Sequence, residues 1–164
     1  MIILLMVGYM AACFKWGAWR RWRDFYGTIL YVIIGDLAYQ FVFCNYRLWT
    51  YTGILGHTYT ALIISFLIFP PAIILYLTHF PSGFLKQSLY VIIWAVVNTF
   101  IEIIACLLNG LRYENNWSIF WSLLLFLIAF ILIWAHYRKP LLVWPLSLGC
   151  GIACALIFGL PPLL

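Results

Sequence analysis

Charged residues are scarce in this chain. They make up 8% of its 164 residues, whereas hydrophobic residues make up 67%, and a soluble domain carries about 25% charged residues. So few charged groups cannot cover a folded surface in water. The shortage excludes an ordinary soluble domain and indicates that lipid is the solvent of this protein. No linker, charge block or low-complexity segment divides the chain, so we expect one helical domain over residues 1–164.

Motifs for catalysis and metal binding are also missing. The sequence contains no GxSxG, no HExxH and no phosphate-binding glycine loop. Its five cysteines include no CxxC pair, and they lie in or beside apolar segments, so we interpret them as packing residues. His79 and His136 both fall at the same predicted membrane boundary and are weak candidates for a metal pair without a clear third ligand. We expect no cofactor.

The chain contains six apolar stretches. A transmembrane helix needs about 20 apolar residues, and the predicted spans are 1–16, 25–44, 58–79, 87–108, 118–136 and 141–160. The odd-numbered loops hold seven lysines and arginines and the even-numbered loops hold two. By the positive-inside rule both termini lie outside. The sequence therefore predicts an all-α polytopic membrane bundle of six transmembrane helices.

The first predicted loop is both basic and aromatic. Trp16, Trp19 and Trp22 recur at every third residue among its arginines. Such rings are typical of the headgroup level of a membrane, so we expect this loop to contact membrane lipids at the inner surface. The same composition on so short a membrane loop does not favour nucleic-acid binding.

Two of the four acids lie inside predicted spans. Asp36 and Gln40 share one helix face in span two, and Asn98 and Glu102 share one in span four. Both spans run in the same direction. Asn98 lies at about the same membrane depth as Asp36, and Gln40 at about the same depth as Glu102, so we expect Asp36 to face Asn98 and Glu102 to face Gln40. The predicted polar site includes two bordering aromatic residues and comprises Asp36, Tyr39, Gln40, Trp94, Asn98 and Glu102.

The intramembrane acids have no basic partner in the sequence. No lysine or arginine lies within the predicted hydrocarbon region to neutralise them. Because low dielectric disfavours the charged form, we expect at least one of the two carboxyls to be protonated near neutral pH. A protonated acid can carry a proton, act as a catalytic acid, or join helices by hydrogen bonds.

Two further local patterns affect the helices. Pro70 and Pro71 fall in the middle of span three, where they remove backbone donors and should kink or break the helix as a hinge. In span six, Ser147, Gly151 and Ala155 form a row of small residues that favours close helix packing.

Several strings resemble a known group of proteins. WRRWRDFYGTILYVIIGDLAYQF, NYRLW, FPPAIILYLTHFPSGFLKQ and HYRKPLLVW are similar to a family of small uncharacterised multi-spanning membrane proteins from endospore-forming Gram-positive bacteria. The resemblance runs over nearly the whole chain, with Gly27 departing from an expected proline. It implies a multi-pass protein of the bacterial plasma membrane and brings no activity with it.

Three functional classes remain open at this stage. The polar site favours, by a narrow margin, proton- or cation-linked transport or permeation, for which so short a chain would form a homo-oligomer. A membrane-embedded enzyme is the second class, with Asp36 or Glu102 as the general acid on a lipid-like or isoprenoid substrate. The third is a helical scaffold or partner subunit, in which the polar face mediates assembly.

Overall fold

The computed structural model describes residues 2–16 and 18–159, and within them the protein is all-α with one small sheet. The prediction of an all-α fold is confirmed. The helices, with a 3₁₀ turn Ala18–Arg21 before the second, are α1 Ile2–Lys15, α2 Trp22–Val42, α3 Gly56–Ile63, α4 Phe69–Thr78, α5 Phe84–Leu107, α6 Ile119–Arg138 and α7 Pro140–Phe158. The strands are β1 Trp49–Tyr51 and β2 Leu111–Tyr113.

Five of the described helical segments are long and apolar enough to cross a membrane, as expected for a multi-pass membrane protein. They are Ala18–Val42, Gly56–Thr78, Phe84–Leu107, Ile119–Arg138 and Pro140–Phe158. Helix α1 has 14 residues and is about 21 Å long, which is shorter than the roughly 30 Å hydrocarbon core. Met1 and residues 160–164 lie outside the described part. Six spans with both termini outside therefore remain a prediction.

The bundle packs around aromatic residues. Phe25 of α2 and Tyr76 of α4 are both completely buried. The Tyr76 hydroxyl donates to the carbonyl oxygen of Phe130 at 3.0 Å, and its own carbonyl accepts from the Tyr90 hydroxyl at 3.1 Å. These bonds satisfy polar atoms inside the bundle, as a membrane interior requires. They tie α4, α5 and α6 together.

The proline pair sits in a continuous helix. Residues Ile64–Ile68 between α3 and α4 are π-helical, and the Phe69 N–H donates to the Ile64 carbonyl five residues back. Pro70 and Pro71 have no N–H to give the preceding turn, so the wider π turn absorbs the loss. The expected break therefore takes the form of a π segment within Gly56–Thr78. Its role as a hinge stays a prediction.

The two strands pair although more than 50 residues separate them. Trp49 lies opposite Tyr113 and Tyr51 opposite Leu111, in an antiparallel register. Because side chains alternate along a strand, these four share one face. The Trp49 ring stacks on Tyr39 of α2 with ring centroids 4.3 Å apart. The sheet thus packs its aromatic face against the end of the bundle where α2 and α5 finish.

A helix cap sets the position of β2. Asn109, two residues after the end of α5, has a φ of 53°. The Gly110 N–H donates to the Ala105 carbonyl at 2.8 Å, and the Asn109 N–H donates to the Cys106 carbonyl at 3.0 Å. This pair of bonds is a Schellman motif, which closes the helix with one left-handed residue. The chain therefore reverses at once, and β2 lies back over the last turns of α5.

Candidate acidic centre

Asp36 contacts the π segment of the neighbouring span. It lies six residues before the last residue of α2, and its Oδ2 is 2.5 Å from the hydroxyl of Ser65. The same hydroxyl is 2.9 Å from the carbonyl oxygen of Ala61. A serine hydroxyl has one proton, and a carbonyl can only accept. Ser65 therefore donates either to Asp36 or to Ala61, and in the second case Asp36 has to be protonated and donate to Ser65.

Gln40 lies one turn beyond Asp36 and contacts His57 at the start of α3. The Gln40 Oε1 and His57 Nε2 atoms are 2.9 Å apart, and the Tyr51 backbone N–H donates to His57 Nδ1 at 3.2 Å. A backbone N–H only donates, so Nδ1 must be unprotonated and the ring proton must sit on Nε2. His57 is therefore neutral in this arrangement, and it links α2 to strand β1.

Glu102 of α5 receives two hydrogen bonds on one oxygen. Its Oε1 accepts from the Tyr113 hydroxyl at 2.8 Å and from the Ser122 hydroxyl at 2.5 Å. The Trp117 indole N–H donates to Ser122 at 2.8 Å, which leaves the serine proton free to point at Glu102. Tyr113 and Ser122 thus both donate to the acid, and the Trp117 indole orients Ser122 toward it.

The sheet places two phenols near these acids. Burial raises the pKa of Tyr51, and the charges of Asp36 and Glu102 raise it further, so this phenol is within electrostatic reach of both acids. Burial also raises the pKa of Tyr113, as does its contact with Glu102. Both phenols are therefore neutral at ordinary pH. We use the term acidic centre for Asp36, Gln40, Tyr51, His57, Ser65, Glu102, Tyr113 and Ser122.

The other predicted polar residues have separate surroundings. The Asn98 side-chain amide donates to the Trp94 carbonyl at 2.8 Å, and Asn98 Oδ1 accepts from the Tyr9 hydroxyl of α1 at 3.3 Å. The Trp94 ring packs against Tyr76. The Tyr39 hydroxyl accepts from the Leu48 N–H at 3.2 Å, so Tyr39 supports the loop that leads to β1.

The hydrogen bonds among the described residues do not include the expected pairs Asp36–Asn98 and Gln40–Glu102. The prediction matched residues by depth, but depth does not identify which helices are neighbours. Helix α2 packs along α4 and α6, whereas α5 packs along α6. The two acids consequently bind donors from different elements, Asp36 from the π segment and Glu102 from α6 and β2.

The weak metal candidates also lie in separate environments. His136 is buried, its Nδ1 is 3.1 Å from the Thr28 hydroxyl, and its ring stacks on Tyr31 at 4.1 Å. The exposed His79 donates from Nδ1 to the Leu75 carbonyl of its own helix at 3.0 Å. Within residues 2–16 and 18–159, no group of three metal-ligating side chains is close enough to hold an ion.

Sequence reasoning gave no role to several residues of the acidic centre. Ser65, Ser122 and His57 are separated from their partners Asp36, Glu102 and Gln40 by 29, 20 and 17 residues, and Tyr51 and Tyr113 lie in short loops. The local signal is a polar residue between two large apolar or aromatic residues, which occurs in both WTY and LRY.

Comparisons with known proteins give no assignment. No protein-family model, curated protein sequence or solved structure matches this chain. The fold and the site therefore define only a class, a multi-pass helical membrane protein with two hydrogen-bonded carboxyls within its spans.

Proposed function

We propose that this protein carries out proton- or cation-linked transport or permeation in a bacterial plasma membrane, with Asp36 as the group that takes up and releases the proton. The observation that supports this most directly is the unlike bonding of the two acids. Asp36 contacts the Ser65 hydroxyl, which can donate or accept, and the Gln40 side chain, whereas Glu102 contacts two hydroxyls that both donate.

The Ser65 hydroxyl lowers the free-energy cost of changing the charge of Asp36. With a protonated Asp36, Ser65 donates to Ala61 and accepts from the acid. After the proton leaves, the hydroxyl rotates and donates to the carboxylate instead. Neither state leaves the acid without a partner, which would be costly in a low-dielectric interior. Asp36 can therefore take up and release a proton without the movement of a helix.

Glu102 serves as the fixed partner in this proposal. Ser122, oriented by Trp117, donates to this acid, so a carboxylate there would have a hydrogen-bond partner. A negative charge there attracts a proton or a small cation toward the sheet-covered end of the bundle. If the permeant ion is a metal cation, the oxygens of Glu102, Ser122 and Tyr113 are the hard ligands that it prefers.

Access to Asp36 would come from the end that the sheet covers. Asp36 lies six residues from the end of α2, or about 9 Å along the helix axis. Tyr51 and Tyr113 lie between this end and the acids. The opposite end carries most of the basic residues, which disfavour a cation there.

The enzyme alternative has less support from the structure. An apolar surface groove lies along α3 and the π segment and is lined by Leu55, Tyr59, Leu62, Ile63, Phe66 and Leu67. Tyr59 and Phe66 are exposed on the lipid-facing side, whereas Ser65 is completely buried. A lipid-like molecule in that groove would therefore lie across the helix from Asp36.

Ion flux in proteoliposomes tests the proposal. We expect Asp36→Asn to abolish proton uptake and Glu102→Gln to reduce it strongly, both in a folded protein. Asp24→Asn is the matched control, because Asp24 pairs with Arg21 on the exposed surface at the other end; its flux should equal that of the original protein. Full flux from both acid variants would leave only a packing role and favour a scaffold. An altered lipid extract on expression, without flux, would favour catalysis.

A further inference from the structure

The His57 ring occupies a position where only one protonation state fits. Strand β1 is an edge of a two-stranded sheet, and alternate N–H groups on such an edge point away from the partner strand. The outward N–H of Tyr51 finds its acceptor in His57 Nδ1. On the other side of the ring, Nε2 donates to Gln40. One neutral tautomer thus satisfies both α2 and β1.

We propose that His57 is a proton-operated latch that holds strand β1 over the acidic centre and releases it on protonation. An imidazolium carries a proton on both nitrogens. Nδ1 would then point a donor at the Tyr51 N–H, which is also a donor, and the bond would be replaced by a repulsive contact. The bond to Gln40 would survive, because Oε1 still accepts. Protonation therefore detaches the strand and leaves α3 attached to α2.

Two charged residues in the surrounding loops lie near this ring, Arg47 before β1 and Glu114 after β2. Glu114 is itself paired with Arg112 at 2.9 Å. From α2 the ring faces the neutral Gln40, with Asp36 one turn further along, and from β1 it faces the neutral phenol of Tyr51, stacked at 5.4 Å.

Release would be confined to one end of the strand. The Trp49 end stays stacked on Tyr39, and the Thr52 N–H still donates to the Gly110 carbonyl at 3.1 Å, so the two strands stay paired and their Tyr51 end would tilt away from α3 together. Tyr51 would move away from the two acids and open a path for water toward Asp36. This use of the latch as access control rests on the proposed function, whereas the latch itself rests only on the contacts of His57.

Hydrogen exchange at Tyr51, with the titration of His57 followed by nitrogen NMR, tests the latch. As His57 becomes charged, exchange at Tyr51, corrected for its intrinsic pH dependence, should speed up by about five- to tenfold. His57→Gln is the matched variant, since a glutamine can accept from Tyr51 and donate to Gln40 without titrating. It should keep Tyr51 protected at every pH. His57→Phe should leave Tyr51 unprotected throughout.

Two results would overturn the latch. In one, His57 becomes charged while Tyr51 stays protected, or remains neutral down to pH 4.5. In the other, His57→Gln shows the same pH-dependent exchange as the original chain. Flux measurements separate this failure from that of the proposed function. If Asp36→Asn abolishes flux while Tyr51 exchange never responds to pH, the result supports the transport proposal and excludes the latch. The reverse pattern would retain the latch and remove transport.

Discussion

The Tyr113 hydroxyl donates to Oε1 of Glu102 at 2.8 Å, across the turn that ends α5. The two residues are 11 positions apart, and the Schellman motif at Asn109 brings them together. Strand β2 thus supplies a donor to an acid on the helix that precedes it. The contact joins the sheet to the acidic centre and gives the first prediction.

Replacing Tyr113 by phenylalanine removes this donor and keeps the ring. We expect the free energy of unfolding to fall by about 1–2 kcal/mol, since a hydrogen bond to an acid is lost from a partly buried site. Chemical denaturation in detergent, followed by circular dichroism, measures the change. Tyr137→Phe is the control, because Tyr137 is 39% exposed at the opposite end. Equal stability of the two variants would mean that the Tyr113 bond contributes nothing.

High pH should destabilise the protein through the same phenol. The pKa of Tyr113 is raised in the folded state, chiefly by burial and also by Glu102, from an ordinary value of 10.0. Above that pH the unfolded chain loses the proton and the folded chain keeps it. Stability is therefore unaffected below pH 10 and falls as the pH rises further. Tyr113→Phe should make the decline shallower, and an identical decline in both proteins would contradict this origin.

Loss of the Ser65 hydroxyl should weaken the contact between α2 and the third span. Ser65→Ala removes the interhelical partner of Asp36 and leaves only Gln40 of its own helix, and we expect a loss of about 1 kcal/mol, within the range of interhelical hydrogen bonds in membranes. Proton flux should also fall, because Asp36 loses the group that stabilises both of its states. Ser88→Ala is the control, since Ser88 is half-buried and its hydroxyl bonds only its own helix, at the Phe84 carbonyl. Unchanged flux in Ser65→Ala would exclude the serine from proton transfer.

The proline pair should control where Ser65 points. Pro70→Ala with Pro71→Ala restores two N–H groups and allows the π segment to become α-helical. Because the π turn holds one extra residue, this change rotates one half of the helix against the other by about 100°. A double-mutant cycle between Asp36→Asn and Ser65→Ala should then lose its coupling energy.

A second helix supplies the control for this experiment. Pro145 lies inside α7, on a helix that contributes nothing to the acidic centre, so Pro145→Ala should leave the coupling between Asp36 and Ser65 intact. The same coupling in the Pro70→Ala, Pro71→Ala background would show that packing, and not the missing donors, maintains the π segment.

Helix class and the presence of both acids within spans could be predicted from the sequence, because hydropathy and the cost of a buried charge depend on each residue's own segment. The hydrogen-bond partners of the two acids could not be predicted from the sequence. Ser65 and Ser122 look like ordinary helical serines, which often bond a carbonyl one turn back, and Ser65 does make such a bond to Ala61. Only the packing of two spans shows that its other contact is Asp36.

The sheet was missed for a different reason. Each strand has three residues, too few for an alternating pattern to stand out, and the pairing of Trp49 with Tyr113 joins loops 64 positions apart. Matching by depth likewise placed Asn98 opposite Asp36, whereas the order of helices around the bundle brings Asn98 to Tyr9.

The stacked rings at the sheet have an optical consequence. Trp49 lies nearly parallel to Tyr39, and its indole is 5.2 Å from that of Trp117. Indoles this close share their electronic excitation, which produces a chiral signal in the ultraviolet that disappears when they separate. The chain therefore contains a built-in spectroscopic reporter of the Trp49 end of strand β1, readable without any attached dye, and its signal should persist when His57 is protonated.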